Sequence, residues 1–465
     1  MSVDTVSLSG SGRTAPTTAV RFRPRTYEEA ADVVRGRGPR GAIARGLGRA
    51  PGDAAQNAGG SVLDMGALDR VRAFDEVTGT VVCDAGTRLD RLARTLSPSG
   101  WYLPVVPGDR RITVGGAIGS DVHGHDHRTA GSFTRHVTAL ELLTADGSVT
   151  TVLPGTPLFD ATAGGLGLTG VVLSATLRCR RIATPLMCVD TERVAGLDDL
   201  LARMAGSVTR LPYESARIDL TARGRATGRA VLVRGGHAPL DALPVRDRRE
   251  PLAARPGLRS GLPSPSLLPA VLPPLPSVPA FAPVGLLGRT AMGLVNEVRH
   301  RAAPRGRSGA LRSFDAFFRS PEALPRTPAP AGRGGFVRYQ FTVGPGREET
   351  LRRVVRRLSG RACPSSVAVL ERLGAAGPGW LSFPAPGWSL AVDVPAGLPG
   401  VGRFLDGLDD EVAAAGGRVA LARDARLRPE LLAAMYPRLA EFRALRAETD
   451  PTGAFRSDLA RRLAL

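Results

Sequence analysis

The chain contains no lysine; its 62 basic residues are all arginine. A guanidinium stays protonated and a Schiff base needs a primary amine, so neither a lysine base nor a lysine imine is available. The bias of a GC-rich genome accounts for the missing residue. Cysteine is scarce too. Cys83, Cys179, Cys188 and Cys363 are too few and too scattered for a disulfide framework or a CxxC metal site. Cys83 and Cys179 sit in apolar, strand-like runs and read as core filler, and the expected compartment is the reducing cytoplasm. Aromatics make up only 5% of the chain, and no zinc-finger spacing or aromatic-rich RNA motif accompanies its net charge of +19. Nucleic acid is therefore not the expected partner. The arginines are spread along the chain, and the surplus suits an anionic substrate or an anionic membrane face. No basic, apolar and cleavable N-terminal run reads as a secretory signal. The most apolar stretch, Leu262 to Leu287, is broken by prolines and cannot make a membrane helix.

Glycine, by contrast, is abundant and gathered in three blocks. Ala44 to Asn57 reads ARGLGRAPGDAAQN, Thr113 to Phe133 reads TVGGAIGSDVHGHDHRTAGSF, and Gly164 to Leu177 reads GGLGLTGVVLSATL. Glycine lets backbone amides approach a phosphate without a Cβ in the way, and a helix start offers unpaired N–H groups to an anion. Three such blocks in one N-terminal region predict a large phosphate-bearing cofactor.

At 465 residues the chain exceeds one ordinary core and predicts two domains. Thr26 and Glu29 form a capping box for a helix over TYEEAADVVRG. Leu89, Leu92 and Leu96 share one face of a second helix. Val137 to Val152 reads as a hairpin turned at Asp146-Gly147. Short strands alternate with helices, an α+β pattern whose turns carry the glycine blocks. Residues 1–181 read as the cofactor domain and 182–417 as a substrate domain on an antiparallel sheet. Within the latter, 236–310 are Pro- and Arg-rich loops, either a lid or an inert linker. Residues 429–446 predict a single helix.

The ordered set GLGRxxGDxAQN (46–57), LPVVPG (103–108), TVGGAI (113–118), AGSF (130–133), LLTADG (142–147) and GLTG (167–170) resembles the vanillyl-alcohol-oxidase-type flavoprotein oxidases. YQF (339–341), LSFPxPGW (381–388) and MYPR (435–438) extend the likeness toward the decaprenylphosphoryl-ribose 2′-oxidase branch of that family. The resemblance implies a two-sublayer, PCMH-type FAD-binding domain, an inserted substrate domain, and a segment 418–465 that returns to the FAD domain. It implies oxidation of a secondary sugar hydroxyl, the 2′-hydroxyl of a polyprenylphosphoryl ribose, as the first half of an epimerisation to arabinose. An NADH-dependent short-chain reductase would complete it, and oxygen or a quinone would reoxidise the flavin. Free alditol or aldonolactone oxidation, and a flavin-binding subunit without catalysis, are the alternatives.

The resemblance places Arg45, Gly46, Leu47, Gly48, Arg49, Gly52, Asp53, Gly108, Thr113, Val114, Gly115, Gly116, Ser120, Asp121, Val122, His123, Val172 and Ala420 on FAD. Covalent relatives carry a histidine where Arg49 stands, so the flavin is expected to be non-covalent. His123 is the candidate catalytic base or, alternatively, a flavin-positioning donor; Arg423 stands at the family's active-site lysine. Gln340, Arg338, Glu371, Ser389 and Arg423 are the expected substrate contacts, and Trp388 is either a contact or core. No metal is expected, because no carboxylate or cysteine cluster completes the alternating histidines His123, His125 and His127. The substrate positions depart from the family. Glu371 replaces a lysine, Ala391 an inhibitor-reactive cysteine, Ser389 an asparagine and Pro51 a tyrosine. His125 replaces a lysine, Arg338 a glutamine and Arg217 a tryptophan. A glutamate at 371 would repel a substrate phosphate unless Arg338, Arg217 or Arg423 compensates.

Overall fold

A computed structural model describes residues 1–206, 211–243, 286–318, 334–361, 363, 365 and 368–465. The N-terminal half builds two sheets. The first has the order β1-β2-β4-β3, from β1 (Ser2–Leu8), β2 (Thr17–Arg23), β3 (Ala42–Arg45) and β4 (Ser61–Asp64). β1 and β2 are antiparallel, while β4 runs parallel to β2 and β3. The crossover helix Tyr27–Arg35 is capped by Thr26, whose side chain accepts from the Glu29 amide. The reciprocal half of the box is shifted by one residue: the Glu29 carboxylate takes the N–H of Arg25.

The second sheet is antiparallel with the order β5-β6-β10-β8-β9, from β5 (Val71–Asp75), β6 (Thr80–Asp84), β8 (Val137–Leu143), β9 (Val149–Val152) and β10 (Val171–Arg178). The β8–β9 hairpin turns at Gly147, as its sequence predicts. β7 (Trp101–Tyr102) and β11 (Arg180–Arg181) form a small annex. Ala30, Val33, Val34, Leu63, Leu143, Val171 and Leu173 pack as one buried cluster that joins the two sheets.

An eight-stranded sheet follows, in the order β15-β12-β14-β13-β17-β18-β16-β19. Its strands are β12 (Leu186–Val194), β13 (Tyr213–Ile218), β14 (Ala230–His237), β15 (Gly306–Ser313), β16 (Phe336–Val343), β17 (Ala368–Leu373), β18 (Gly387–Pro395) and β19 (Arg418–Val419). Every pairing is antiparallel. The fold is therefore α+β, with the large sheet beside the two smaller ones. Strand alternation divides its faces. Ala216, Phe341, Leu370, Leu390 and Val392 bury one face against helices Leu197–Ala205, Glu348–Gly360 and Val401–Ala414. Met187, Val189 and Tyr213 of the other face pack into the core of the N-terminal half.

Two expectations need correction. The loops expected over 236–310 include the end of β14, a helix Leu286–Ala302 and most of β15; residues 244–285 lie outside the described residues. The single helix expected over 429–446 is broken into Leu432–Met435 and Leu439–Thr449. Pro437 causes the break: proline has no N–H, and it drives Tyr436 out of the helical region to φ −127° and ψ 87°. The chain end packs on the first sheet, where the Arg456 amide donates to the Ala42 carbonyl and Phe455 bridges Ala42.

Candidate functional site

A cleft of about 1330 Å³, counting the solvent at its mouth, opens where the first sheet, the helix Val114–Gly119 and the large sheet meet. The glycine blocks converge on it. Arg45, Gly46, Leu47, Gly48, Arg49, Gly108, Thr113, Gly115, Gly116, Ser120, Val122 and Val172 line it, and Arg338 and Arg423 close the opposite side. Gly48 holds φ at +62°, a conformation that a side chain disfavours. Among the described residues, no partner takes the amides of Leu47, Gly48 and Arg49. Successive free amides at such a bend form an anion nest.

The helix-start amides behave differently from the expectation. Val114 N–H donates to Thr87 O, Gly115 N–H to Ala85 O, and Gly116 N–H to the capping Thr113 hydroxyl. The unpaired amides at the cleft therefore lie in the 47–49 bend, and the helix Val114–Gly119 serves as its floor. Val114 itself is fully buried beneath the lining.

Other expected contacts are braces. Arg45 borders the cleft, but its guanidinium donates to the carbonyls of Ser9 and Ala55. Gly52 lies behind the lining, where a Cβ would fall 1.6 Å from Asp424 O. Asp53 points away from the cleft, its carboxylate held by Arg462 at 2.9 Å. Asp121 is fully buried and accepts from the Ser132 hydroxyl at 2.7 Å, the Thr134 amide and hydroxyl, and the Ser382 hydroxyl. Ala420 is buried, and its N–H donates to Gln340 O at 2.9 Å. Arg49 pairs with Asp109, whose second oxygen takes Arg111. Sequence reasoning passed over Pro107, Asp109, Ile112, Gly119, Leu166, Gly167 and Ala422 as lining residues. The quoted GLTG block was the available signal for Gly167.

His123 lies outside the cleft lining, in a second constellation carried by three adjacent strands of the large sheet. Gln340 of β16 faces Ala391 of β18, and Glu371 of β17 faces Ser389. Arg338 and Asp393, also opposite each other, complete the same face. Gln340 Nε2 donates to Ser389 Oγ at 3.1 Å and lies 3.4 Å from His123 Nε2. Gln340 Oε1 is buried without a partner among the described residues. Glu371 Oε2 stands 3.5 Å from His123 Nε2, and Oε1 contacts His125 Nδ1. Burial works against the Glu371 charge, but His125 and His123 overcome it and hold the carboxyl well below its ordinary value. Phe383 covers the His123 ring at 5.7 Å. His127 accepts the Gly374 N–H on Nδ1, and burial pushes its pKa down to about 3.

The phosphate compensation expected of Arg338 is not available in that form. Its guanidinium grips Asp393 through two bonds of 2.5 and 2.7 Å inside the protein. Trp388 lies on the opposite face, in the core, with its indole N–H on Glu348. No group of three or more His, Cys, Asp or Glu residues among the described ones could hold a metal.

Comparison with known proteins supplies the family. Residues 18–153 match a family model described as an FAD binding domain. The chain is 37% identical over 468 residues to decaprenylphosphoryl-β-D-ribose oxidase of Mycolicibacterium smegmatis, covering 99% of this chain and 98% of that one. It is 54% identical over 380 residues to an uncharacterized protein in the mprA 5′ region of Streptomyces coelicolor, 81% of this chain and 100% of that protein. It is also 30% identical to alditol oxidase of a Streptomyces species, over 95% and 94% of the two chains. The chain belongs to the FAD-dependent oxidoreductases with a PCMH-type FAD-binding domain. Within them it is an FAD-dependent oxidase of sugar-like substrates, in the group that contains decaprenylphosphoryl-β-D-ribose oxidase and alditol oxidase.

Proposed function

We propose that the enzyme oxidises the 2′-hydroxyl of a polyprenylphosphoryl ribose. The observation that carries the reading is the buried constellation of His123 and Gln340 on one sheet face, with Arg423 on the wall of the neighbouring cleft. Support for the lipid-linked ribose comes from the full-length identity to the M. smegmatis oxidase. The bend Leu47–Arg49 and the floor of Thr113, Gly115, Gly116, Val122 and Val172 would hold FAD without a covalent bond. When bound, FAD supplies the two-electron acceptor.

The side chains then divide the remaining work. Gln340 Oε1 offers an acceptor to a sugar hydroxyl, fixing the ring's orientation. His123, in its neutral form, takes the hydroxyl proton as the carbon–hydrogen bond breaks. Arg423 supplies positive charge where negative charge accumulates. Phe383 covers the histidine and limits water around it. The keto sugar would pass to an NADH-dependent short-chain reductase, and the basic surface would meet an anionic membrane face.

A second reading has its own observation. Glu371 is anionic, and Arg338 is committed to Asp393, so this face offers less to a phosphate than to a neutral polyol. A free alditol, the substrate class in the name of the Streptomyces relative, fits that balance. Anaerobic mixing with farnesylphosphoryl ribose and with xylitol separates the readings. Bleaching of the flavin by the first alone supports the lipid-linked sugar, and bleaching by xylitol alone supports the polyol. Bleaching by neither would leave a flavin-binding subunit. Acid precipitation of the same sample should release all the FAD into the supernatant.

A further inference from the structure

Glu371 bridges two imidazoles that differ in their access to water. The His123 side chain is 7% exposed and His125 is 26% exposed, while the carboxylate between them is buried. Oε2 faces His123 Nε2 at 3.5 Å and Oε1 contacts His125 Nδ1, so one carboxylate touches both rings through different oxygens. A buried carboxylate is stable only where such partners compensate its charge. Each chain element around it adds to the arrangement. The Glu214 amide donates to the His125 carbonyl, and the Glu214 carboxylate is engaged by Arg234 and Arg128. The Arg338–Asp393 pair on the neighbouring strands is internally balanced. His127, 5.9 Å from His123, is kept neutral by burial.

We infer that His123, Glu371 and His125 form a proton path that carries the substrate's hydroxyl proton from the buried site to water. The inference rests on the reading of His123 as the acceptor of that proton. On oxidation the carbon–hydrogen bond breaks and its hydrogen leaves with the electron pair to FAD. The O–H proton moves to the His123 ring, and the oxygen's electrons close the carbonyl. The imidazolium passes its Nε2 proton to Glu371 Oε2, and the carboxyl group turns and gives that same proton to His125 Nδ1. His125 then releases a proton to solvent, and return of the carboxyl group and of the His123 ring to their starting orientations resets the path. Glu371 and His125 act through His123 and need not touch the substrate. In a site sealed from water, a base without an exit would stay protonated after one turnover.

The test uses the FAD-loaded enzyme. In ring-¹⁵N NMR spectra without substrate, Glu371→Gln should change the ¹⁵N shifts of both His123 and His125, because one carboxylate contacts both rings. Unchanged His123 ¹⁵N shifts in both Glu371→Gln and His125→Ala would overturn the path. His125→Ala is the second variant because its partly exposed site tolerates truncation. With farnesylphosphoryl ribose or xylitol, whichever bleaches the wild type, His125→Ala should slow steady-state turnover about ten-fold or more, within the range of general acid–base effects. Added imidazole should restore it. A slowed variant that imidazole fails to rescue would reduce His125 to a packing role, and an unslowed one would remove it altogether. If His123→Ala reduces its flavin at the wild-type rate, the reading of His123 fails instead. If neither alcohol bleaches the wild type, that reading fails too, and the path falls with it.

Discussion

Arg462, three residues from the chain end, grips Asp53 of the first glycine block with Nη2–Oδ1 of 2.9 Å and Nε–Oδ2 of 3.1 Å. Its third nitrogen reaches Asp424 Oδ2 at 3.0 Å. One guanidinium thus ties the first glycine block to the segment that carries Arg423. Removing it leaves two largely buried carboxylates without their cation. Arg462→Met should cost about 3 kcal/mol, the lower end for a broken buried pair, because Arg462 keeps a quarter of its side chain in water. It should also lower flavin occupancy. Urea unfolding and the flavin-to-protein absorbance ratio measure both, and wild-type values would show that the clamp is redundant.

Arg423 should matter for turnover rather than for flavin retention. Arg423→Met keeps the apolar stem and removes the charge. The variant is expected to stay folded and yellow while kcat/KM falls roughly ten- to a thousand-fold, the span for losing one charge-assisted contact. Arg423→Lys should recover part of the loss. Stopped-flow reduction reads the effect; unaltered rates would make Arg423 a mere wall of the cleft.

Ala391 lies on the constellation's face directly opposite Gln340, where it offers no thiol. Cys363 is buried in the core on the sheet's other side. Nitroaromatic compounds that trap an active-site thiol should therefore leave the protein's mass unchanged after turnover. An adduct on Cys363 would contradict the packing described above.

Burial holds His127 and His237 near a pKa of about 3, against an ordinary value of 6.5. Between those values the unfolded chain binds protons that the folded chain refuses, so each histidine lowers stability as pH falls from 6.5 toward 3. Asp126 and Asp409, raised by burial to about 6 and about 7, act with the opposite sign over their own ranges. The difference between wild type and variant isolates the histidine. His237 sits among Tyr102, Tyr213 and Phe314, so His237→Phe suits its surroundings. The variant should gain on the wild type between pH 7 and 5, approaching about 1.4 kcal/mol per unit below the ordinary histidine pKa. Parallel urea-midpoint curves would count against it.

The convergence of the glycine blocks on one cleft was legible because their demands are local. A bend such as Gly46–Arg49 needs its glycines within a few residues, and the helix cap at Thr113 needs only Gly116. Pro437 was visible too, but the apolar spacing around it reads as one continuous helix. The pairings that decide which groups remain available were not legible. Asp53 meets Arg462 across 409 residues, and His125 meets Glu371 across 246. No local pattern reports such contacts. Arg338 read alone is a phosphate binder; beside Asp393 it is a strut.

The division of the large sheet's faces has an evolutionary consequence. Residues 338, 340, 371, 389, 391 and 393 alternate with the side chains that hold the sheet to its helices. A change of charge or size at one of them therefore alters chemistry with little call on the core. A change at residue 371 or 391 leaves the core face of the sheet as it is. New substrate preferences can arise through side chains on three strands, ahead of any remodelling of the cleft walls.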